Sequence, residues 1–373
     1  MQSKHFLETP LIKSSYLSKR LNASIYLKLD NLQPCHSFKL RGISHFLEHQ
    51  LKIHGPTVHV ICASSGNAGI AAAYASQALG LKCTVFLPEG VHPATTEYLK
   101  SLGAELKVTP GRYFVHALRA AEEAVKTEPN AVLAPAYNDP LIWEGHSSMI
   151  HEIKRQLPSE IAKPDAILCS VGGAGLLGGV LTGCKDVGWD DVPIVATETH
   201  GANGFWESVT ANRNPSSIPS EGATIRRDEV HDVKVAHIQL SSIVTSLGAN
   251  YPAPAVVKMA LDRPGSVRCV TVPDELTMQL TTMFADSHKL LVELACAATL
   301  AAAYKPELTS HLFPVTDSGD GKERVLVFVI CGGFKISVEE LAEYRSVIDN
   351  IPKGTQWEVK VDDDVVKVDV HGT

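Results

Sequence analysis

Short apolar, β-branched runs alternate along the chain with Ala/Leu-rich amphipathic stretches. VHVICAS (58–64) leads into NAGIAAAYASQALG, CTVFLPEG (83–90) into PATTEYLKSLG, and ELKVTP (105–110) into RYFVHALRAAEEAVK. AILCSVGG (166–173) leads into GLLGGVLTG, and PIVATE (193–198) and VLVFVICGG (325–333) repeat the pattern. Strand, turn and helix in repetition predict an α/β fold with parallel strands. The apolar runs lack polar alternation, as expected where helices cover both faces of a sheet. RNPSSIPSEG (213–222) and KPELTSHLFPVTDSGDGKER (305–324) predict exposed loops. Beyond Lys353, WEVKVDDDVVKVDVH alternates around an acidic turn and predicts a hairpin or an extended tail.

Composition narrows the function classes. The 373 residues are enough for two modest domains or one large one, and 45% hydrophobic with 20% charged residues is globular composition. A net charge of −7 argues against nucleic acid as the partner. The N-terminal MQSKHFLETP has no apolar core of a secretory signal, and the weakly polar run 167–183 is too short to span a membrane. Eight cysteines without a CxxC pair fit reduced thiols in the cytoplasm better than disulfides or a zinc site.

Four features carry candidate chemistry. VGGAGLLGG follows a strand and opens a helix, where glycines admit a ligand and helix N–H groups favour a phosphate. It contains GxGxxG (Gly173, Gly175, Gly178), with Glu198 ending the next strand twenty residues on, which is also the fingerprint of a nicotinamide dehydrogenase. The plain alternative is a glycine-rich helix packed closely on its sheet. ASSGNAG (63–69) offers two hydroxyls, a glycine and an amide at a helix start, a cup suited to a carboxylate or simply an N-cap. Cys331 ends a core strand, where α/β sheets present ligands, though a free cysteine is by default a small buried apolar residue. Lys39 lies between Phe38 and Leu40 at the start of a helical stretch. A dehydrogenase leaves Lys39, the serine cup and Cys331 idle. Pyridoxal phosphate uses all four features, needing an amine, a phosphate cup, a carboxylate cup and a partner for its pyridine nitrogen.

SFKLRG, SSGNAG, the glycine loop and CGG, in this order, resemble the serine/threonine dehydratase family of fold-type II pyridoxal-phosphate enzymes. LAPAYNDPLIWEGHSSMIHEI, VGWDDVPIVATETHGA and LVELACAATLAAAY extend the likeness over residues 8 to 345, nearest to the eukaryotic cytosolic L-serine dehydratases. The resemblance implies a two-domain, open twisted parallel-sheet fold of the tryptophan synthase β-like kind. A small mobile domain would span 35–138, a large one 1–34 with 139–352, and 353–373 would be an extra hairpin or tail. It implies L-serine, and L-threonine with it, as substrate and a homodimer as assembly. Lys39 would be the Schiff-base lysine and the base for the Cα proton. Phe38 and Ser246 would face the two sides of the pyridine ring, Asn67 would bond the 3′ oxygen, and Cys331 would meet the ring nitrogen. Gly172, Gly173, Ala174, Gly175 and Leu176 would hold the phosphate. Ser64, Ser65, Gly66 and Asn67 would hold the substrate carboxylate. A monovalent cation, potassium, would be held by the Glu198 carboxylate and the carbonyls of Gly172, Ala202, Leu247 and Ala249.

Three positions depart from the family pattern. His36 stands where most relatives have glycine, and reads as a surface-pointing imidazole or a titrating group at the site. Ala174 replaces the middle glycine of the phosphate loop, which is tolerable with a negative φ. Ser65 stands where racemases of the family carry a proton-handling serine, so a racemase or a β-replacement enzyme, using Ser65 or His36, is the alternative on the same cofactor.

Overall fold

The computed structural model describes residues 5–111, 114–314 and 323–372. In chain order its strands are β1 (Leu11–Lys13), β2 (Ser24–Leu29), β3 (His59–Ala63), β4 (Lys82–Pro88), β5 (Glu105–Thr109), β6 (Ala131–Leu133) and β7 (Ala166–Ser170). There follow β8 (Ile194–Thr199), β9 (Ala223–Asp228), β10 (Val233–Ile238), β11 (Val267–Val272), β12 (Val325–Ile330), β13 (Gln356–Val361) and β14 (Asp364–Asp369). They form an eight-stranded sheet ordered β1-β2-β12-β7-β8-β11-β13-β14, a four-stranded sheet ordered β5-β4-β3-β6, and the β9–β10 hairpin. The four-stranded sheet is wholly parallel, and so is the β2-β12-β7-β8-β11 centre of the large one. The chain thus leaves the large sheet after β2, builds the small sheet, and returns at β7. Strands β2, β3, β7, β8 and β12 are buried along their whole length, which accounts for their lack of polar alternation; the polar residues they carry, Lys28 and Glu198 among them, are buried too.

Glycines set how closely the helices near the site approach. In the helix Gly175–Asp186, a methyl group on Gly179 would lie 2.2 Å from the His146 Cβ, and one on Gly183 2.7 Å from the Ile150 Cβ. His146 and Ile150 belong to the helix Pro140–Gln156, whose Gly145 in turn meets Gly42 of the helix Lys39–His54. A buried ion network ties the last two helices together. Arg41 bonds Asp30 (2.7 and 2.9 Å) and Glu152 (2.7 Å twice), and Lys28 Nζ donates to Glu152 at 2.6 Å.

One expectation changes, and one pair of alternatives is decided. The stretch 305–324 is not a loop throughout. Pro306–Leu312 is a helix that buries Leu308 and Leu312, and Lys305 is buried with its Nζ donating to the Asp369 carbonyl at 2.6 Å. An apolar pair four residues apart, amid polar neighbours, is too short a signal to stand out. Positions 315–322 of that stretch lie outside the described residues. The C-terminal segment is a hairpin. β13 pairs antiparallel with β11, buries Trp357, Val359 and Val361, and closes the edge of the large sheet.

Candidate active site

Backbone pairing brings Lys39 to the end of β12. Ser37 bridges Gly332, Phe38 N–H donates to the Cys331 carbonyl (3.1 Å), and Gly333 N–H donates to the His36 carbonyl (2.7 Å). The approach requires both glycines. Methyl groups there would meet the His36 carbonyl oxygen at 2.2 Å and the Glu293 Cδ at 1.9 Å, and their φ values are +85° and +136°. Lys39 opens its helix and points its ammonium inward, donating to the Ala136 carbonyl at 2.5 Å and lying 5.2 Å from the Phe38 ring. Burial lowers it from the ordinary lysine range to about 8. Behind Phe38, 4.9 Å between ring centroids, His146 accepts from Gly42 N–H at 3.1 Å. Burial, then the nearby Lys39, hold it well below the usual imidazole range, so it is a neutral wall.

The serine cup lies between β3 and the helix Asn67–Leu79. Ser64 Oγ accepts from Gly66 N–H at 3.2 Å, and Ser65 is half-exposed. The Asn67 amide is fixed from both ends: Nδ2 donates to Glu293 Oε1 (2.8 Å) and Oδ1 accepts from Phe334 N–H (3.0 Å). One Nδ2 hydrogen is left over. Glu293, absent from the sequence reading, is buried, its Oε2 has no hydrogen bond, and burial pushes it up to about 7. Ser246 shares a cavity with it.

The glycine loop joins β7 to the helix Gly175–Asp186. Among the described residues, the N–H groups of Gly172 through Leu177 have no acceptor, while Ala174, Gly175 and Leu176 are buried. Tyr137 covers the loop: a methyl group on Gly173 would lie 2.5 Å from its ring and one on Gly175 2.8 Å from its Cβ. The expected negative φ at Ala174 is not found. Its φ is +67°, a left-handed conformation that costs an alanine about 1 kcal/mol, held by the loop around it. His36 has φ +63°, a left-handed conformation that favours glycine. Its ring is exposed, 6.1 Å from Phe334, so the surface-pointing reading fits.

Cys331 is buried, with its Sγ 3.4 Å from Ser170 Oγ. Glu198 is fully buried, and its two oxygens accept from Phe205 N–H (2.9 Å) and Trp206 N–H (2.6 Å) at the start of the helix Gly204–Arg213. A methyl group on Gly172 would lie 2.9 Å from the Leu247 carbonyl oxygen, and Leu247 shares a buried cluster with Ala202. The Leu247 carbonyl also accepts from Ala249 N–H at 2.8 Å. The dinucleotide fingerprint dissolves in this geometry. Gly178 serves helix packing, since a methyl group there would lie 2.8 Å from the Trp143 indole, and the Glu198 carboxyl caps a helix.

A family model described as pyridoxal-phosphate dependent enzyme matches residues 2–332. The chain belongs to this pyridoxal-phosphate dependent family. L-serine dehydratase/L-threonine deaminase of Homo sapiens is 36% identical over 355 residues, covering 93% of this chain and 98% of its own. L-serine dehydratase of Dictyostelium discoideum is 31% identical over 356 residues, covering 93% of each chain. Among solved structures, a fungal L-serine ammonia-lyase from Rhizomucor miehei matches with TM-score 0.77 and 29% identity, over 91% of this chain and 98% of its own. Maize serine racemase, at TM-score 0.71 and 20% identity over 92% and 93%, shares the fold. The residues present fit the family cofactor. An enclosed amine, unpaired N–H groups at the start of a twelve-residue helix, and glycines that side chains would fill are what a phosphorylated aldehyde requires.

Proposed function

We propose that the protein is an L-serine ammonia-lyase that also takes L-threonine, releasing pyruvate or 2-oxobutanoate and ammonia. The observation that carries the reading is Lys39, a buried amine of lowered basicity in a pyridoxal-phosphate family chain whose relatives at 31–36% identity are serine dehydratases. Pyridoxal phosphate, when bound, supplies the electron sink for charge that develops at Cα. Lys39 would hold it through Nζ, residues Gly172, Gly173, Ala174, Gly175 and Leu176 its phosphate, and the spare Asn67 N–H its ring oxygen. Phe38 and Ser246 would flank the ring, and Cys331 would meet its nitrogen.

The chain's own groups then divide the work. Ser64, Ser65, Gly66 and Asn67 take the substrate carboxylate and turn the Cα–H bond toward Lys39. Lys39, about half neutral near pH 8, accepts that proton at Nζ. Cys331 offers a thiol rather than a carboxylate, so it does not force a proton onto the ring nitrogen. Charge at Cα is then less dispersed, and loss of the β-hydroxyl competes well. Closure of residues 35–138 over the substrate would exclude water. The same reading includes a potassium ion at Glu198, Gly172, Ala202, Leu247 and Ala249, supported by the contact between the Gly172 and Leu247 backbones. It includes a homodimer, on the family resemblance, and a cytoplasmic location, supported by eight free, buried cysteines. Elimination is favoured over racemisation, because the relatives at 31–36% identity are serine dehydratases and the solved structure at 29% identity is an L-serine ammonia-lyase, whereas the serine racemase likeness is at 20%.

The test is pyruvate release from L-serine by protein supplied with pyridoxal phosphate, with and without potassium, beside Lys39→Ala. Chiral analysis of the residual serine runs in parallel. Pyruvate from wild type alone supports the reading, and D-serine without pyruvate overturns it in favour of racemisation.

A further inference from the structure

The C-terminal hairpin reaches back to the segment that carries Glu198. Trp206 donates its indole N–H to the Asp362 carbonyl in the β13–β14 turn (3.1 Å), and Lys360 Nζ of β13 lies 4.9 Å from the centre of the Trp206 ring. Arg213, two turns further along the helix Gly204–Arg213, pairs with the Asp362 carboxylate at 3.5 Å. His200 Nε2 donates to the Glu358 carbonyl of β13 at 2.9 Å, so its Nδ1 accepts from the Thr271 hydroxyl of β11, also at 2.9 Å. The turn is itself pinned to β11. Asp362 N–H donates to the Cys269 carbonyl (2.8 Å), and its carboxylate accepts from Cys269 N–H (2.9 Å) and Arg268 Nε (2.6 Å).

The gripped residues bracket the candidate cation ligands. His200 stands two residues after Glu198 and two before Ala202, and Thr199 bridges Ala202. The backbone N–H groups of Phe205 and Trp206 hold the Glu198 carboxyl. A carboxylate held by the first turn of a helix moves with that helix, and this helix is fastened to the hairpin at Trp206 and Arg213. Among the described residues no basic side chain pairs with the Glu198 carboxyl, so its charge and the carbonyls near it fit a hard cation. Closing the sheet edge does not by itself require these contacts. Trp357, Val359 and Val361 face the core, while Lys360, on the other face of β13, covers Trp206. The hairpin also lies beyond residue 332, where the match to the family model ends.

We propose that the C-terminal hairpin sets the geometry of the potassium site, with Trp206 as the positioning residue through which it acts. This rests on the potassium reading above. The hairpin holds Trp206 and His200, these hold the segment 198–206, and the backbone contact between Leu247 and Gly172 passes the cation's effect to the phosphate loop.

The experiment titrates the full-length apoprotein with pyridoxal phosphate at stepped potassium chloride, with tetramethylammonium chloride holding the ionic strength. Cofactor fluorescence reads binding, and thermal melts check folding. The proteins are wild type, Trp206→Phe, His200→Phe and Lys305→Met. Lys305 holds the hairpin at the end away from Glu198, through the Asp369 carbonyl, so its variant loosens the hairpin without touching Trp206. Wild type is expected to bind the cofactor about tenfold more tightly in saturating potassium. Trp206→Phe keeps the packing and loses the N–H, and should raise the potassium concentration for half effect about fivefold or more, as for one lost hydrogen bond. His200→Phe should shift it in the same direction, and carries the test if Trp206→Phe does not fold. Lys305→Met should lower the melting temperature and leave the potassium midpoint at the wild-type value. An unchanged midpoint in both folded variants at Trp206 and His200 would overturn the proposal and leave the potassium reading intact. A midpoint that rises equally in Lys305→Met would make the effect one of general stability and overturn it too. Cofactor binding by wild type that ignores potassium would remove the potassium reading, and the proposal with it.

Discussion

Among the described residues, Lys39 Nζ meets one hydrogen-bond acceptor, the Ala136 carbonyl, and the Phe38 ring. Burial therefore sets its basicity at about 8, and the neutral, proton-accepting form grows as pH rises through that value. The expected pH profile of serine turnover climbs to a plateau with an apparent pKa near 8, and a rate flat from pH 6 to 9 would remove Lys39 as the limiting base. Glu293 works in the opposite sense. Its folded value, about 7, lies above the ordinary 4.5. The native protein keeps a proton that the unfolded chain has lost between those values, so this contribution is complete below 4.5 and gone above 7. Glu293→Gln should escape that loss. In denaturant melts its stability relative to wild type should rise by about 3 kcal/mol between pH 4.5 and pH 8. Ala174 at φ +67° gives a third test. Alanine-to-glycine changes inside helices cost about 1 kcal/mol, whereas Ala174→Gly should be neutral or stabilise by up to about 1 kcal/mol in the same melts.

The site is assembled by element ends rather than by any one element. The helix Lys39–His54 is held in place by the Arg41 network, whose members are buried and hydrogen-bonded to one another. Removing one partner strands the others, so Arg41→Ala should destabilise by about 3–5 kcal/mol in thermal or denaturant melts. The turn after β12 carries Gly333, and Gly333→Ala would drive a methyl group into Glu293. A fall in pyridoxal-phosphate affinity of at least about tenfold is the expected outcome of titrating the apoprotein. This scale also explains what was legible in the sequence. Lys39, the serine cup, the glycine loop and Cys331 sit at strand-to-helix junctions with local signatures of turn and cap, so one-dimensional reading reached them. Glu293, His146 and Tyr137 bear on the site from other segments, and no local signal in the chain says which site they meet. The left-handed Ala174 escaped for a related reason: side-chain identity argues for the commoner backbone, and the surrounding loop overrides it.

Across the whole molecule, a parallel four-stranded sheet and a mixed eight-stranded sheet with a parallel centre put their strand ends around one set of residues. The alternation of apolar runs foresaw parallel α/β structure, and the division into two came only from the family resemblance. The C-terminal hairpin was foreseen only as a hairpin or tail, because its partner β11 is about ninety residues away. It is part of the large sheet's core: Trp357, Val359, Val361, Val368 and Val370 are buried, and Gln279 donates to the Val370 carbonyl at 2.5 Å. At roughly 1.5–3 kcal/mol for each large buried side chain, ending the chain at Pro352 should lower the melting temperature by about 10 °C or more, or leave the protein insoluble. The account as a whole stands on one lysine acting in a pyridoxal-phosphate site. The most direct measurement is pyruvate formation from L-serine by wild type and Lys39→Ala, each supplied with pyridoxal phosphate and potassium. The account predicts steady pyruvate release by wild type and none above background by the variant. Equal pyruvate from both proteins, or none from a folded, cofactor-loaded wild type, would contradict it.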